Sequence, residues 1–317
     1  MILLALDGTG AGLSRASLEL VSLGRQLAGD SPLGGFLIGD PVQPLLDQAR
    51  CAVDQLWLLR GEGLPSTDPQ RAAQAAEAAL QAAEAQLLLL PAGRLGRSYS
   101  PRLAVQRGWA LLEDAAELQL DGQQLSATCY AYLGRIWQRR STHPPAVVSV
   151  KAGSVSPAEL VSVPAAEVRV LEVATSSPLE ERDFVGQKLS RVPLSEAEVV
   201  VTGGRGLGSQ EAFAMLEELA DLLGAGVGAT RAVVDAGWRP YAEQVGQTGQ
   251  TVQPKVYLAI GVSGAVQHLS GMNKSGYIVA VNKDPEAPMV KSSDLAVIGD
   301  LHKVVPALIQ ALRGRRD

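Results

Sequence analysis

Residues Val245–His268 read VGQTGQTVQPKVYLAIGVSGAVQH, and the second half of the chain is best understood outward from this stretch. Its centre, Val256–Ile260, is short, apolar and rich in β-forming residues, which predicts a buried strand. The glycine-bearing turn Gly261–Gly264 follows it. A helix is then expected to begin within Ala265–Leu269, with Ser263 as its N-cap.

Two turns in this stretch predict an anion site beside a site for a polar ring. A turn that leads into a helix presents free backbone N–H groups and the positive end of the helix dipole, so Gly261–Gly264 favours a phosphate. The upstream turn Gly246–Gly249 adds an amide and a hydroxyl from Gln247 and Thr248. The ligand that these parts suggest therefore combines a phosphate with a polar ring.

Length and composition indicate a globular protein of two domains. The chain has 317 residues, of which 46% are hydrophobic and 19% are charged, and its formal net charge is −5. That length accommodates two ordinary domains with separate cores, and the composition is not that of a disordered chain. A negative net charge without a basic block argues against a nucleic-acid partner.

Cysteine usage and hydropathy bear on the compartment. Cys51 and Cys129 are too few and too distant to bind an iron–sulfur cluster or a structural zinc unaided, and they suit a reducing compartment. Met1–Leu6 is apolar but meets Asp7 at once, which predicts a strand and not a signal peptide. No run approaches the roughly 20 apolar residues of a membrane helix, so no direct membrane insertion is expected. We expect a cytoplasmic protein if the source is bacterial, or a mitochondrial-matrix protein if the chain is a processed eukaryotic one.

Residues 1–190 alternate strands with helices, which predicts an N-terminal nucleotide-binding-like α/β domain with a mostly parallel sheet. The glycine cluster Asp7–Gly12 lacks the Walker lysine and the full dinucleotide spacing, so a strand-to-helix turn is preferred over a phosphate site. Asp68 is expected to cap a helix that begins at Pro69. The segments expected to form strands in a more antiparallel region are Leu125–Leu133, Gly134–Arg140 and Ala146–Val150. The polar segment Thr175–Ser195 is interpreted as the domain linker.

Residues 191–317 again alternate strands with helices over a shorter length, and this pattern predicts a C-terminal doubly wound parallel-sheet domain. In such sheets, ligands lie beyond the carboxyl ends of the strands. Arg205, Arg231, Ser263 and Asn282 each come just after a predicted strand, so one shared site is expected.

The candidate residues indicate tight binding without machinery for bond-making chemistry. Gly203–Gly208 is a weak indicator alone, and Gly224–Gly228 is better explained as a helix C-cap that leads into a strand. Arg231, a surface arginine if taken alone, suits a phosphate or an electron-rich ring when it lies at a strand end among glycine turns. His268 is a lone histidine of the kind that is usually structural, but its neutral N–H could donate to a ring carbonyl. No catalytic residue and no metal site is predicted, so the redox chemistry would belong to a bound cofactor.

The second domain resembles the alpha subunit of electron-transfer flavoprotein. The segments that carry the resemblance are, in order, Gly203–Leu207 (GGRGL), Thr230–Gly237 (TRAVVDAG), Gln244–Gly249 (QVGQTG), Gly261–His268 (GVSGAVQH), Val279–Asp284 (VAVNKD) and Gly299–Leu301 (GDL). In the first domain, Gly96–Ala104 and Val148–Gly153 resemble family segments. Thr128–Gly134 departs from the arginine- and proline-bearing strand that is usual in the family, which puts partner docking there in doubt.

The resemblance implies an FAD held by residues 191–317, a partner-facing first domain with no cofactor expected, and a beta subunit that also binds a nucleotide. It implies a heterodimeric electron carrier that accepts electrons from dehydrogenases such as the acyl-CoA class, as in fatty acid beta-oxidation. The electrons would pass to a membrane quinone reductase or another acceptor. The FAD contacts implied by the resemblance are Arg205, Thr230, Arg231, Val245, Gly246, Gln247, Thr248, Ser263, Gly264, Ala265, Val266, Gln267, His268, Asn282, Asp300 and Leu301.

Within that set the resemblance implies separate roles. Arg205 and the Ser263–His268 turn would contact the FAD phosphates and flavin, and Arg231 would lie over the isoalloxazine. Thr248 would hydrogen-bond near flavin N5, and His268 would reach the C2 carbonyl side. A cation and two donors placed there would favour the negative charge of a reduced flavin and raise its reduction potential. Thr230 stands where the family often has serine, and it keeps the hydroxyl.

Two other functions fit part of the pattern. A nicotinamide- or thiamine-enzyme-like nucleotide-binding domain of an oxidoreductase would share the same fold, and the absorbance spectrum of the purified protein would distinguish it. A partner-stabilising subunit without a cofactor would leave the retained Arg231, Thr248 and His268 unexplained.

Overall fold

A computed structural model of the chain describes residues 1–9, 12–132, 136–160, 165–179, 192–194 and 196–314. It divides into two compact units, Met1–Phe184 and Val185–Asp317. The domain boundary expected after residue 190 lies outside the described residues, as does most of the expected linker and the beginning of the strand expected at Gly134–Arg140. No helix in the described part of the chain combines the length and the apolar composition needed to cross a membrane.

The first unit is an α/β domain built on one large sheet. In chain order its strands and helices are β1 (Ile2–Ala5), β2 (Gly8–Thr9), β3 (Gly12–Leu13), α1 (Arg15–Ala28), β4 (Leu33–Ile38), α2 (Gln43–Ala52), β5 (Gln55–Arg60), α3 (Pro69–Ala82), β6 (Leu87–Pro91), α4 (Arg94–Arg107), β7 (Ala110–Asp121), β8 (Gln124–Ala131), β9 (Ile136–Thr142), β10 (Ala146–Val150) and β11 (Val168–Glu172). Within the described residues the sheet has nine strands in the order β11-β5-β4-β1-β6-β10-β7-β8-β9. Pairing is parallel from β11 to β7 and antiparallel from β7 to β9.

Local sequence predicts much of this unit. Asp68 caps α3 by accepting a hydrogen bond from the Gln70 N–H, as predicted. The strand β10 was expected in the antiparallel region, but it pairs in parallel with β6 and β7. The sequence of β7 (ALLEDAAELQLD) consists largely of helix-forming residues, so its local propensity predicts a helix. It forms a strand because it pairs with β10 and β8.

The second unit is a smaller sheet covered by helices on both faces. Its elements are β12 (Val199–Gly203), α5 (Phe213–Leu223), β13 (Gly226–Ala229), α6 (Arg231–Asp235), β14 (Val256–Ile260), α7 (Val266–Leu269), β15 (Tyr277–Asn282), α8 (Pro288–Lys291), β16 (Leu295–Ile298) and α9 (Leu301–Arg313). Five parallel strands lie in the order β13-β12-β14-β15-β16 in the described chain. One face packs against α5 and α9, and the other packs against residues of α7 and α8 and their flanking loops. The predicted doubly wound fold is therefore confirmed.

Of two predictions about the turns around β13 and β14, one is confirmed and the other is wrong. Gly224 ends α5 in the left-handed conformation (φ +62°), which confirms that this glycine is a C-cap leading into a strand. Ser263 was expected to cap the next helix, but α7 begins only at Val266 and its N-cap is Ala265, which has no capping side chain. The turn after β14 is therefore longer than its sequence suggests.

Candidate functional site

The candidate site lies at the carboxyl ends of β12 and β14, where the strand order of the second sheet reverses. From β12 the chain crosses to β13 on one side, whereas β14 lies on the other side. The loops that leave β12 and β14 therefore diverge and open a crevice, which is where α/β sheets bind ligands. A cavity of about 480 Å³ lies here, lined by the loops after β12, β13 and β14 and by the segment from Gln244 to Thr248.

Most of the predicted contact residues converge on this cavity. The loops come from four separate segments of the chain, and the strand ends bring them together as expected for a single site. The lining residues that were predicted are Arg205, Thr230, Arg231, Val245, Gly246, Gln247, Thr248, Ser263, Gly264, Ala265, Gln267 and His268.

The other four predicted contacts, Val266, Asn282, Asp300 and Leu301, are not among the cavity-lining residues. Asn282 supports the site indirectly, because its Nδ2 donates to the carbonyl oxygen of Val262 at 2.8 Å and so fixes the turn after β14. Asp300 is the N-cap of α9 and Leu301 is buried in the core. Direct contact of these four residues with a cofactor stays a prediction.

The turn after β14 presents unpaired backbone N–H groups beside the cavity. Within the described residues, the N–H groups of Ser263, Gly264 and Ala265 have no protein acceptor. The following helix has only four residues, so its dipole contributes little, and the predicted anion site rests instead on these backbone donors. Three successive donors beside a cavity suit the oxygens of a phosphate group.

Glycine is required where the loops after β12 and β14 touch. A Cβ atom on Gly204 would lie 2.2 Å from the carbonyl oxygen of Gly261, and one on Gly206 would lie 2.7 Å from the same oxygen. The two loops are joined by a hydrogen bond from the Gly206 N–H to Gly261 O at 3.1 Å. Any side chain at Gly204 would push these two loops apart, so this wall of the cavity requires glycine at position 204.

The charged side chains of the lining give the cavity a positive balance. Arg205, Arg231 and Asp235 contribute two positive charges and one negative charge, a net of +1. In the described part of the chain no carboxylate pairs with Arg205. Arg231 Nε lies 3.3 Å from Asp235 Oδ2 one helical turn away, with both side chains more than 60% exposed. An exposed pair of this kind contributes little to stability, so its charges remain available to a ligand.

A short loop holds Gln247 and Thr248 at the cavity. The N–H of Gln247 donates to the carbonyl of Gln267 at 2.8 Å. The side-chain Nε2 of Gln244 donates to Thr248 Oγ1 at 2.9 Å. Because Thr248 Oγ1 accepts that bond, its own hydroxyl proton can be donated to a ligand. The loop therefore presents a hydroxyl donor on an exposed side chain.

His268 is buried between two protein partners. Its Nδ1 lies 3.0 Å from the carbonyl oxygen of Val245, and its Nε2 lies 3.0 Å from the hydroxyl of Tyr257. Burial lowers the pKa of His268 to about 4, and the bond to Val245 opposes this only in part, so the ring is neutral near pH 7. Both ring nitrogens have protein partners here, and donation from His268 to a ring carbonyl stays a prediction.

Sequence reasoning did not assign roles to Asp235, Gln244 and Tyr257. The spacing of four between Arg231 and Asp235 on a helix was an available indication of their ion pair. Nothing in the local sequence distinguishes Tyr257 as the partner of His268, because that contact joins a strand to the helix after it. Gln244 and Thr248 are only four residues apart, but they lie in an irregular loop where spacing alone predicts no contact.

Comparisons with known proteins match both units. The family profile described as electron transfer flavoprotein domain matches residues 2–176, and the profile described as electron transfer flavoprotein FAD-binding domain matches residues 193–273. The second unit is thus an FAD-binding domain.

Curated relatives agree with these profiles. The electron transfer flavoprotein subunit alpha of Bacillus subtilis is 33% identical over 304 residues, covering 95% of this chain and 94% of that protein. The protein of the same name from Mycobacterium leprae is 34% identical over 327 residues, covering 99% and 98%. A Caenorhabditis elegans protein named probable electron transfer flavoprotein subunit alpha, mitochondrial, is 37% identical over 269 residues, covering 82% and 78%.

Proposed function

The chain belongs to the electron transfer flavoprotein alpha-subunit family, and we propose that it is the FAD-binding half of a heterodimeric electron carrier. It would accept electrons from dehydrogenases of the acyl-CoA type and pass them to a quinone reductase or another acceptor. The observation that carries the proposal is the cavity at the carboxyl ends of β12 and β14, where unpaired backbone donors, two arginines and a threonine hydroxyl converge.

The residues on the cavity match the two chemically different parts of FAD. The unpaired N–H groups of Ser263, Gly264 and Ala265, together with the unpaired guanidinium of Arg205, suit the pyrophosphate. Arg231 and the hydroxyl of Thr248 lie on the same cavity and suit the polar edge of the flavin ring. Both halves of the donor set are therefore present in one unit.

FAD, when bound, supplies the electron-accepting chemistry, and the protein supplies orientation and electrostatics. Negative charge that develops on the flavin is favoured by a nearby guanidinium and by a hydrogen-bond donor. Arg231 provides the charge, Asp235 moderates it, and Gln244 orients the hydroxyl of Thr248. His268 remains neutral and contributes position, not charge.

The partner follows from the same proposal. An alpha subunit of this family implies a beta subunit, and we assign the first unit to that contact, with no cofactor of its own. Electron donors and acceptors then dock on the assembled heterodimer. A nicotinamide- or thiamine-enzyme role is less well supported, because the profile that matches residues 193–273 is specific to FAD-binding domains of this family.

The test is to co-express the chain with an electron transfer flavoprotein beta subunit from the same source and to purify the complex. We expect a yellow heterodimer with a flavin spectrum, from which denaturation releases FAD identified by mass spectrometry. Arg205→Glu should reduce FAD retention, whereas Arg313→Glu, which changes an exposed arginine of α9 away from the cavity, should not. A colourless complex that takes up no added FAD would rule the proposal out. Reduction of the bound flavin by an acyl-CoA dehydrogenase and its substrate tests the donor class.

A further inference from the structure

An ion-pair network outside the cavity joins helix α5 to the segment that leads into residues 244–248. Arg239 donates two parallel hydrogen bonds to the carboxylate of Glu243, from Nε at 2.6 Å and from Nη2 at 2.8 Å. Its Nη1 donates to Glu217 Oε1 on α5 at 2.6 Å. None of these three residues is among those that line the cavity, so contact with a ligand there does not explain the network.

The surroundings of Arg239 make this network firmer than an ion pair on the open surface. The side chains of Arg239 and Glu243 are each 16% exposed, and that of Glu217 is 31% exposed. The guanidinium carbon lies 5.3 Å from the centre of the ring of Phe213, a buried residue of α5. Bidentate geometry, partial burial and an aromatic face each strengthen the hold on a guanidinium. Arg239 is therefore fixed against α5.

The turn after Arg239 connects this network to Thr248. Within the turn, the Gln244 N–H donates to the carbonyl of Tyr241 at 3.0 Å, and Glu243 lies between these two residues. The Tyr241 hydroxyl donates to the carbonyl oxygen of Thr248, and Gln244 Nε2 donates to Thr248 Oγ1 at 2.9 Å. Movement of this turn away from α5 would therefore displace both groups that hold Thr248.

We propose that Arg239 is a positioning residue of the FAD site, which anchors the turn Tyr241–Gln244 to α5 and so fixes the hydroxyl of Thr248 at the cavity. The proposal rests on the proposed function, because the position of that hydroxyl matters to electron transfer only if it contacts FAD. Arg239 acts through the turn and needs no contact with the cofactor.

Substitution of either end of the anchor distinguishes positioning from an effect of charge. Arg239→Met removes a positive charge, Glu217→Met removes a negative charge, and both break the link to α5. If only the charges acted on the flavin, the two substitutions would shift its reduction potential in opposite directions. If the anchor fixes the Thr248 hydroxyl, both should lower the potential at high ionic strength, which screens the charges. Both should also raise the FAD dissociation constant about fivefold, as expected for loss of one hydrogen bond.

The experiment is a mutant cycle in the co-expressed heterodimer. The reduction potential and the FAD dissociation constant are measured at high ionic strength for Arg239→Met and Glu217→Met, each alone and combined with Thr248→Val. An effect that passes through the Thr248 hydroxyl disappears when this hydroxyl is absent. We therefore expect each substitution to lower the potential of the wild type and to leave that of Thr248→Val unchanged. Arg239→Lys should recover part of the wild-type potential, because its ammonium can still donate to a carboxylate.

A second arginine–glutamate pair on α5 provides the matched control. Arg313 Nη2 on α9 donates to Oε1 of Glu218, the residue after Glu217, at 2.7 Å. Both side chains of this pair are more exposed than those of the Arg239 network, and neither lines the cavity. Arg313→Met and Glu218→Met make the same two charge changes without touching the turn. They should leave the potential and the FAD dissociation constant unchanged at high ionic strength.

The outcomes separate the two proposals. A wild-type complex that takes up no flavin removes the proposed function and the positioning role together. A wild type that binds FAD overturns the positioning role alone if Arg239→Met and Glu217→Met shift the potential in opposite directions, or if their shifts persist in Thr248→Val. Equal shifts in the control pair would also overturn it. Should Arg239→Met fail to fold, Glu217→Met decides the question, since it leaves Arg239 paired with Glu243.

Discussion

Arg231 and Asp235 form an ion pair in which Nε and Oδ2 are 3.3 Å apart, and both side chains line the cavity of the second unit. The two charges lie one turn apart on the short helix α6, so a ligand in the cavity experiences both. Their opposite signs allow the electrostatic part of the proposal to be tested in both directions.

Arg231→Ala should lower the reduction potential of the bound flavin, and Asp235→Asn should raise it. Removal of one unit charge near an exposed site changes the energy of a reduced, negatively charged flavin by on the order of 1 kcal/mol, equivalent to tens of millivolts. Spectroelectrochemical titration of the heterodimer with FAD bound measures the shift. The size of both shifts should decrease at high ionic strength, since exposed charges are screened.

Arg231→Lys is the matched control for this pair, because it keeps the charge while altering the geometry. We expect its potential to lie closer to the wild type than that of Arg231→Ala. Unchanged potentials in both Arg231→Ala and Asp235→Asn, with FAD still bound, would contradict an electrostatic role for the pair.

Thr248→Val should remove the hydrogen bond that the loop donates to the flavin, whereas Thr248→Ser should preserve that bond. The valine has nearly the same shape but no hydroxyl, and serine keeps the hydroxyl that accepts from Gln244. Loss of one hydrogen bond to the cofactor should cost about 1 kcal/mol or slightly more. The flavin absorbance envelope and the reduction potential report it.

Gln244→Glu provides an independent check on the same hydroxyl. A carboxylate at this position accepts the proton of the Thr248 hydroxyl, which is then no longer available to a ligand. We expect Gln244→Glu to lower the potential at least as much as Thr248→Val, because the added negative charge acts in the same direction as the loss of the hydroxyl donor. If Gln244→Glu raised the potential, the hydroxyl would not be donating to the flavin.

Gly204→Ala should destabilise the second unit and impair FAD binding. The added Cβ would lie 2.2 Å from the carbonyl oxygen of Gly261, a backbone atom that moves only if the loop moves. We expect a loss of about 2–4 kcal/mol in the free energy of unfolding. Gly314→Ala is the control, since its Cβ would meet nothing closer than Gln310 O at 3.8 Å, and its effect should stay within about 0.5 kcal/mol. Equal denaturant midpoints for the two variants would contradict the close approach of the loops.

Burial of neutral His268 should make the stability of the second unit depend on pH. The pKa of His268 is lowered to about 4 in the folded protein by burial, from an ordinary value of about 6.5. Between these values the unfolded chain binds a proton that the folded chain does not, so stability rises with pH through the window and is lost as pH falls from about 6.5 towards 4. The contribution has a slope of up to about 1.4 kcal/mol per pH unit.

His268→Asn isolates this contribution because it removes the titrating group. Urea-induced release of flavin, followed from pH 4.5 to 7.5, measures the stability of the wild type and the variant. We expect the variant curve to be flatter between pH 4.5 and 6.5. Parallel curves would mean that His268 is not buried as a neutral group.

The elements of the second unit could be predicted from the sequence because each depends on residues that are close along the chain. Val256–Ile260 forms the strand that its apolar run predicts, and Gly224 ends a helix as a glycine C-cap. The turn residues after β12, β13 and β14 converge on one cavity. Parallel strands place their carboxyl ends at one edge of a sheet, so strand assignment was sufficient to bring Arg205, Arg231 and Ser263 together.

In the first unit, long-range pairing overruled local preference. The segment Ala110–Asp121 is rich in helix-forming residues, yet it forms β7 because β10 and β8 pair with it on either side. The composition of such a segment predicts what it would form in isolation. The strand is stabilised by neighbouring strands that are not part of the local sequence.

The sequence by itself determined the family, the doubly wound fold of the second unit, and which loops meet at the FAD-binding cavity. Only the tertiary structure decided how the buried polar groups pair, as Tyr257 does with His268 and His268 with the carbonyl of Val245. The pairs of Arg231 with Asp235 and of Gln244 with Thr248 join residues only four apart along the chain. Strand and turn formation is governed by short-range periodicity and backbone preference, which a linear sequence displays directly. The partner of a buried polar group is chosen by which segments approach it within about 3 Å, and that is fixed only when the whole unit has folded.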